Sequence, residues 1–248
     1  MNLGFAHERL QVYAKALAFG TKAGAWTGNW SKKHAVVDQF YRASESLLLN
    51  LAEAARQHDG PARLQQAEYA IGSSLECAGC LDLAGLKQLL CPAECQREKR
   101  ALCEVTRMLV GLRKAWDHGK VREEAVADRS GQSAKGAEPL FYHERLEVYR
   151  AALGFMEWFV SQPEGQALSH RLARQIDEAA TCVVLNIAEG NGRFSVLDHN
   201  RFLQIADRAS VKAAVYLDLA VEKGVVAAAG VSTGKELLRR VSAMLEAF

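Results

Sequence analysis

Phe5-Ala6-His7-Glu8-Arg9-Leu10-Gln11-Val12-Tyr13 returns later in the chain as Phe141-Tyr142-His143-Glu144-Arg145-Leu146-Glu147-Val148-Tyr149. Asn50-Leu51-Ala52-Glu53-Ala54 returns as Asn186-Ile187-Ala188-Glu189-Gly190, and Leu81-Asp82-Leu83-Ala84 returns as Leu217-Asp218-Leu219-Ala220. The offset is 136 each time (143 − 7, 186 − 50, 217 − 81). A constant offset over so long a span identifies a duplicated folding unit with no net insertion, and such a repeat sets the domain count. It divides the 248 residues into copy one (1–116), a joining segment (117–139) and copy two (140–248). Each copy is large enough to bury its own core.

The composition favours helix. There are only 4 prolines, and hydrophobic residues make up 49% against 24% charged, the balance of a soluble globular protein. No apolar run reaches the roughly 18 residues of a transmembrane helix. The stretch Met1-Asn2-Leu3-Gly4-Phe5 lacks the charged and apolar regions of a signal peptide, so a cytoplasmic location is expected. The net charge of +2 does not by itself argue for nucleic acid. Residues 1–120 carry 16 Lys+Arg against 12 Asp+Glu, while 140–248 carry 12 against 13, so copy one is the half better suited to a polyanion.

Each copy reads as four helices, near 6–25, 32–58, 62–85 and 92–116, then near 142–161, 165–190, 196–222 and 231–247. Gly28-Asn29, Asp59-Gly60-Pro61, Cys91-Pro92 and Gln162-Pro163-Glu164-Gly165 supply breaks. Ser31 and Ser195 are expected N-caps, and Gly192 and Gly230 expected stops. Leu102, Val105, Leu109, Leu112 and Trp116 recur at steps of three and four, a bundle-facing seam. Leu237, Val241, Met244 and Phe248 form its counterpart. No segment alternates with period two over a strand's length. The expected fold is therefore all-α, two tandem antiparallel four-helix bundles. Asp128 to Pro139 is small, polar and breaker-rich, as in a flexible linker that lets the bundles pack together or hold separate partners.

Copy two carries Leu146-Glu147-Val148-Tyr149, Gln175-Ile176-Asp177-Glu178-Ala179-Ala180, Asn186-Ile187-Ala188-Glu189-Gly190-Asn191-Gly192-Arg193 and Arg201-Phe202-Leu203-Gln204-Ile205-Ala206. This set resembles the four-helix-bundle family encoded in 23S rRNA intervening sequences, which is similar to the accessory variability determinant of diversity-generating retroelements. Copy one is more diverged. It keeps Asn50, Ala52 and Glu53 but has Ala54-Ala55-Arg56 in place of Gly-x-Gly. It keeps Gly72-Ser73-Ser74-Leu75-Glu76, where copy two has Arg208, Ala209 and Lys212 in place of Gly, Ser and Glu. Decay at different places means two surfaces with different jobs, or one shared surface assembled from both. The resemblance implies small antiparallel bundles that assemble into rings, often five-fold. It also implies, in the retroelement relative, a basic ring that binds a reverse transcriptase and RNA. No catalytic chemistry or cofactor is implied. A fused pair cannot fill a five-membered ring evenly.

The candidate site residues follow, each with a structural alternative. Asn186, Glu189, Gly190, Gly192 and Arg193 at the end of the second helix of copy two form either a partner contact or a helix end with a local ion pair. Glu189 and Arg193 are four apart, and the glycines permit close approach or a positive φ. Asn50, Glu53, Glu76 and Arg201 belong to the same signature. Arg100, Arg107 and Lys114, joined by Arg97 and Arg113, either follow a phosphate backbone or line a solvated outer face. Cys77, Cys80, Cys91 and Cys95 either hold zinc or are reduced helix cysteines; the latter is favoured, so no metal is expected. His7 and His143 are followed by Glu-Arg in both copies and read as first-turn polar contacts, with a neighbouring carboxylate able to raise the pKa. There are no Glu-x-x-His pairs, no glycine-rich phosphate loop and no nucleophile motif. The sequence thus points away from an enzyme and from a small-molecule substrate. It points to a scaffold or adaptor that oligomerises and binds a protein partner, with an RNA- or DNA-binding accessory factor as the alternative.

Overall fold

The computed structural model describes residues 5–117, 139–162 and 170–247. Copy one consists of α1 (Gln11–Asn29), α2 (Ala35–Arg56), α3 (Gly60–Leu86) and α4 (Pro92–Asp117). Copy two consists of α5 (Glu147–Ser161), α6 (His170–Gly190), α7 (Val196–Glu222) and α8 (Ala228–Glu246). In copy one α2 packs on α1 and α3, and α4 on α1 and α3; α5 to α8 repeat this closed square. The described residues contain no strand. The joining segment 118–138, the break at 163–169 and Phe248 lie outside the described residues.

The seams bury as the apolar spacing requires. Leu102, Val105 and Leu109 are buried on α4, with Leu112 and Trp116 half-buried. On α8 the buried line is Val231, Gly234, Leu238, Val241 and Leu245. Val241 is buried as expected, while Leu237 and Met244 lie half-buried and give their core places to Leu238 and Leu245 one residue on.

Several boundaries differ from expectation. Residues 6–9 and 142–145 form separate 3-10 turns, because Leu10 and Leu146 take extended backbone and break the run into α1 and α5. At its other end α1 runs through Gly28-Asn29. The Thr27 hydroxyl donates back to the Ala23 carbonyl at 2.8 Å, and Trp26 stacks with Trp30 and Phe40. Gly230 lies inside α8 and stops nothing. Ser195 caps α7 as expected, accepting from the Asp198 N–H at 3.5 Å.

Ser31 does not cap α2. The helix begins after His34, and the Ala35 N–H donates to Asp177 Oδ2 at 2.9 Å. That carboxylate belongs to α6 of copy two, so one bundle caps a helix of the other. Asp177 also pairs with the buried Lys87. The two bundles share one continuous hydrophobic core. α3 packs on α6 and α5, and α2 on α6. From Ala70 to Ala84 only Glu76 and Asp82 on α3 escape full burial, because the helix has its own bundle on one side and copy two on the other.

Candidate functional site

The signature of copy two and the Gly-Ser-Ser-Leu-Glu segment of copy one, which decay in opposite copies, meet in space. The contact is closest at two glycines. A Cβ on Gly192 would lie 2.8 Å from Gly72 Cα and 2.9 Å from Gly72 N. Backbone touches backbone here, and no side chain fits. Gly192 has no positive φ, so its role is close approach alone. Two turns along α3, a Cβ on Gly79 would meet Leu185 Cδ2 at 3.0 Å and Ala188 Cβ at 3.5 Å.

Arg193 lies in this seam with its side chain 7% exposed. Its guanidinium pairs with Glu189 and is sandwiched between Tyr69 of copy one, 4.9 Å from the ring centre, and Phe202 of copy two, at 4.6 Å. Nε and Nη1 have no hydrogen-bond acceptor among the described residues. The ring faces and Glu189 therefore carry the stabilisation of the charge. Glu76 faces the same cluster without a side-chain hydrogen bond among those described. Burial, and after it the Glu189 carboxylate, push its carboxyl up to about 8 against the pull of Arg42 and Arg193. Burial also raises Glu189, opposed by Arg193.

A second polar network closes the other end of the interface. Lys99 Nζ on α4 contacts Asp82 Oδ1 at 2.6 Å and Glu144 Oε1 at 2.5 Å. Tyr149 OH donates to Asp82 Oδ2 at 2.8 Å, and the Leu140 N–H donates to Glu144 Oε2 at 2.7 Å. Burial alone would lower the Lys99 pKa, but Asp82 and Glu144 raise it. His143 is fully buried between Phe141 and Tyr149, and neither ring nitrogen has a partner among the described residues. Burial, with Lys99 nearby, drives its pKa down to about 3. For His143 this corrects the expectation of a polar contact and a raised pKa: the ring is held by a stack on Phe141 and an edge contact with Tyr149. Asp82, His143 and Glu144 place ligand atoms within 4.8 Å of one another, the one such grouping among the described residues. The Lys99 ammonium already lies against both carboxylates and supplies the positive charge, so the cluster reads as an ion network.

The remaining candidates are placed as follows. Asn50 donates to Ser46 Oγ at 2.9 Å, and Ser46 bonds Ser73 at 2.9 Å, within copy one. Glu53 is tied to Arg56 and Gln57. Asn186 donates to the Cys182 carbonyl at 2.8 Å. A Cβ on Gly190 would crowd Phe202 Cβ at 3.0 Å, so this glycine serves the α6–α7 turn. Arg201 is exposed. Arg100, Arg107 and Lys114 are exposed on α4, while Arg97 is engaged by Glu94 and Glu98. Arg113 leaves the expected stripe. It turns to Glu68 at 2.7 Å and stacks over Phe194 of copy two at 3.9 Å. The cysteines are free thiols and do not gather: Cys77, Cys80, Cys95 and Cys103 are buried, and Cys91 is exposed. Burial raises Cys77 and Cys80 far above the usual thiol range, which leaves them protonated.

Sequence reasoning missed Tyr69, Phe202, Lys99 and Asp177 as contact residues. Asp82, Glu144 and Tyr149 stand in the repeated stretches, and that repetition was the available signal. Tyr69 and Phe202 are not repeated, having Ile205 and Gln66 at the matching positions; Phe202 stood only within the stretch that carries the resemblance, and Tyr69 gave no signal.

A family model described as 23S rRNA-intervening sequence protein matches residues 8–111 and again 144–247. No curated protein and no solved structure matches. The chain belongs to that family and carries its unit twice.

Proposed function

We propose that this tandem member of the family is a non-enzymatic scaffold or adaptor that acts by binding protein through the faces its two copies leave open. The observation that carries this reading is the one-sidedness of the internal interface. Copy one contributes α3 and copy two contributes α6, while the reciprocal pair, α2 with α7, makes no comparable packing among the described residues. Apolar side chains remain exposed on these two helices, α2 touching copy two only through α6: Tyr41 and Leu49 on α2, and Val211, Val215 and Leu219 on α7. Exposed apolar stripes of this kind mark interaction sites. The test is capture from cell lysate with the wild-type chain, followed by identification of the bound protein. Leu49→Arg and Val215→Arg chains serve as controls. A partner lost in either control supports the reading. Equal capture by all three chains, or none by wild type combined with a strictly monomeric chain, refutes it.

The alternative is an RNA- or DNA-binding accessory factor of the kind that works beside a reverse transcriptase. The solvent-facing line of Arg100, Arg107 and Lys114 favours it. Phosphate contacts would make binding fall steeply with salt, and Arg100→Ala with Arg107→Ala would weaken it and flatten the salt slope. Binding that is absent or indifferent to salt excludes this alternative.

A further inference from the structure

We infer that the cleft where the N-terminus of α2 meets α6 is a binding site for a small phosphate monoester, held between the two copies. The inference goes beyond the scaffold reading. It concerns a cleft inside the chain and a small ligand, whatever protein the outer faces meet.

The cleft has a volume of about 380 Å3, at the small end of the roughly 300–1,000 Å3 that ligand pockets occupy. Copy one supplies Lys32, Lys33 and His34, which lead into α2, and the first turn of that helix. Copy two supplies Arg174, Glu178 and Thr181 from successive turns of α6. The two walls are tied together by Asp177, which accepts from the Ala35 N–H and pairs with the buried Lys87. Neither copy forms the cleft alone.

Thr181 points to a ligand. A threonine inside a helix ordinarily satisfies its hydroxyl on the carbonyl one turn back. Thr21, Thr27 and Thr106 all do so, at 2.9, 2.8 and 2.9 Å. Thr181 is 1% exposed, yet its Oγ1 has no hydrogen-bond partner among the described residues. A buried hydroxyl without a partner is destabilising, and this one belongs to a residue that lines the cleft. An acceptor oxygen brought in by a ligand would satisfy it.

The charge around that hydroxyl selects the ligand. Lys32 and Lys33 are exposed and pair with no carboxylate among the described residues; Lys32 Nζ donates to the Thr27 carbonyl at 3.3 Å. The acids of the cleft are already engaged, Glu178 by Arg174 at 2.8 Å and Asp38 by Arg42 at 3.0 Å. Asp177 is matched by Lys87. Two ammonium groups are left over, beside the positive end of the α2 dipole. Burial and the Lys87 ammonium lower the His34 pKa, so that ring adds a neutral nitrogen and no third charge. A phosphate monoester carries about −1.5 to −2 at pH 7 and matches two lysines. A carboxylate or a phosphodiester carries one charge and matches half of them. The volume leaves room for an organic body beyond the phosphate group.

The test is isothermal titration of the full chain, at one fixed ionic strength, with ribose 5-phosphate, inorganic phosphate, ribose and a short single-stranded RNA without a terminal phosphate. Thermal unfolding is followed beside it. Ribose 5-phosphate is expected to bind one to one and to raise Tm, and ribose to do neither. Lys32→Ala combined with Lys33→Ala should weaken binding by about tenfold or more. Thr181→Val should weaken it by about three- to tenfold. That variant also removes the unpartnered hydroxyl, so without ligand it should unfold at the wild-type temperature or above it. Weaker binding without lost stability separates a ligand contact from a structural role. Binding of neither phosphate probe, unchanged affinity in both variants, or a lowered Tm for Thr181→Val would overturn the inference. Inorganic phosphate that binds where ribose 5-phosphate does not would overturn the ester. RNA binding that depends on the two lysines while both phosphate probes fail would assign them to nucleic acid and also overturn it.

Discussion

Gly192→Ala tests whether the two copies are held by backbone contact. The added Cβ would lie 2.8 Å from Gly72 Cα, 2.9 Å from Gly72 N and 3.2 Å from the Glu189 carbonyl oxygen, all of them backbone atoms. None can yield by a rotamer change, so α3 and the end of α6 must separate. Overpacking of this kind costs about 1–3 kcal/mol. The loss of glycine entropy in the unfolded chain returns about 0.4–1 kcal/mol. A net loss of roughly 1–2 kcal/mol follows, a drop of about 2–8 °C in Tm for a chain of this size. Gly72→Ala is the internal control. Its Cβ meets Arg193 Cζ and Nη2 at 3.1 Å and Glu189 Cγ at 3.3 Å, which are side-chain atoms. Its mid-helix position also gains about 1 kcal/mol in helix propensity. Gly72→Ala should therefore fall within about 1 kcal/mol of wild type. The assay is urea unfolding of both variants beside wild type, followed by far-UV circular dichroism. An unchanged midpoint for Gly192→Ala, or a larger loss for Gly72→Ala, would refute the backbone-contact argument.

Other perturbations address the charges. The Glu76 carboxyl lies near 8 in the fold against an ordinary 4.5, so its protonated form is the stabilised one. Its contribution is full below about pH 4.5 and is lost as pH rises towards 8. Glu76→Gln should flatten this decline and unfold at higher urea than wild type at pH 8.5, with the two converging at pH 4. His143 runs the other way: with its pKa near 3 against 6.5, the neutral ring stabilises the fold above about pH 6.5 and that stability fades as pH falls towards 3. His143→Phe keeps the stack on Phe141 and the edge contact with Tyr149 and should lose less Tm than wild type between pH 7 and pH 4. Lys99→Met leaves Asp82 and Glu144 facing each other and should cost about 3–5 kcal/mol in urea unfolding. The matching Lys235→Met breaks an outer pair in which Asp218 is 55% exposed, and should cost less than about 1 kcal/mol. Equal losses at 99 and 235 would show that the internal network is no more than a surface salt bridge.

The constant offset made the duplication, the four helices per copy and the α4 seam legible before any coordinates, because periodicity and breakers act locally. What escaped was decided by partners distant in sequence. Ser31 looks like a cap by composition, yet α2 is capped by Asp177, 142 residues from Ala35. Arg113 shares the charge of Arg100 and Arg107, but it lies near enough to Phe194 and Glu68 to turn inward. His143 carries the same motif as His7. It is fully buried against Phe141 and Tyr149 with Lys99 of copy one nearby, whereas His7 is half-buried. In the Gly-Asn-Gly-Arg stretch α6 stops at Gly190, and Gly192 and Arg193 then meet copy one of the same chain.

The unequal decay of the copies follows from the polarity of their packing. In a one-sided interface each copy uses one face inward and keeps the other outward, so the same ancestral position serves opposite roles. Gly72 and Glu76 are held in copy one, where α3 faces in, and replaced by Arg208 and Lys212 in copy two, where α7 faces out. Glu189, Gly192 and Arg193 are held in copy two, where α6 faces in; on α2 of copy one only the glutamate survives, as Glu53. Random loss would scatter replacements over both faces and both charges. Here the outward face that lost its arginine, at Gln57, is matched by an outward face that gained Arg208 and Lys212. Gly72, Glu76 and Gly192 are packed between the copies, while their counterparts Arg208, Lys212 and Arg56 are exposed, so burial separates the positions where the copies differ.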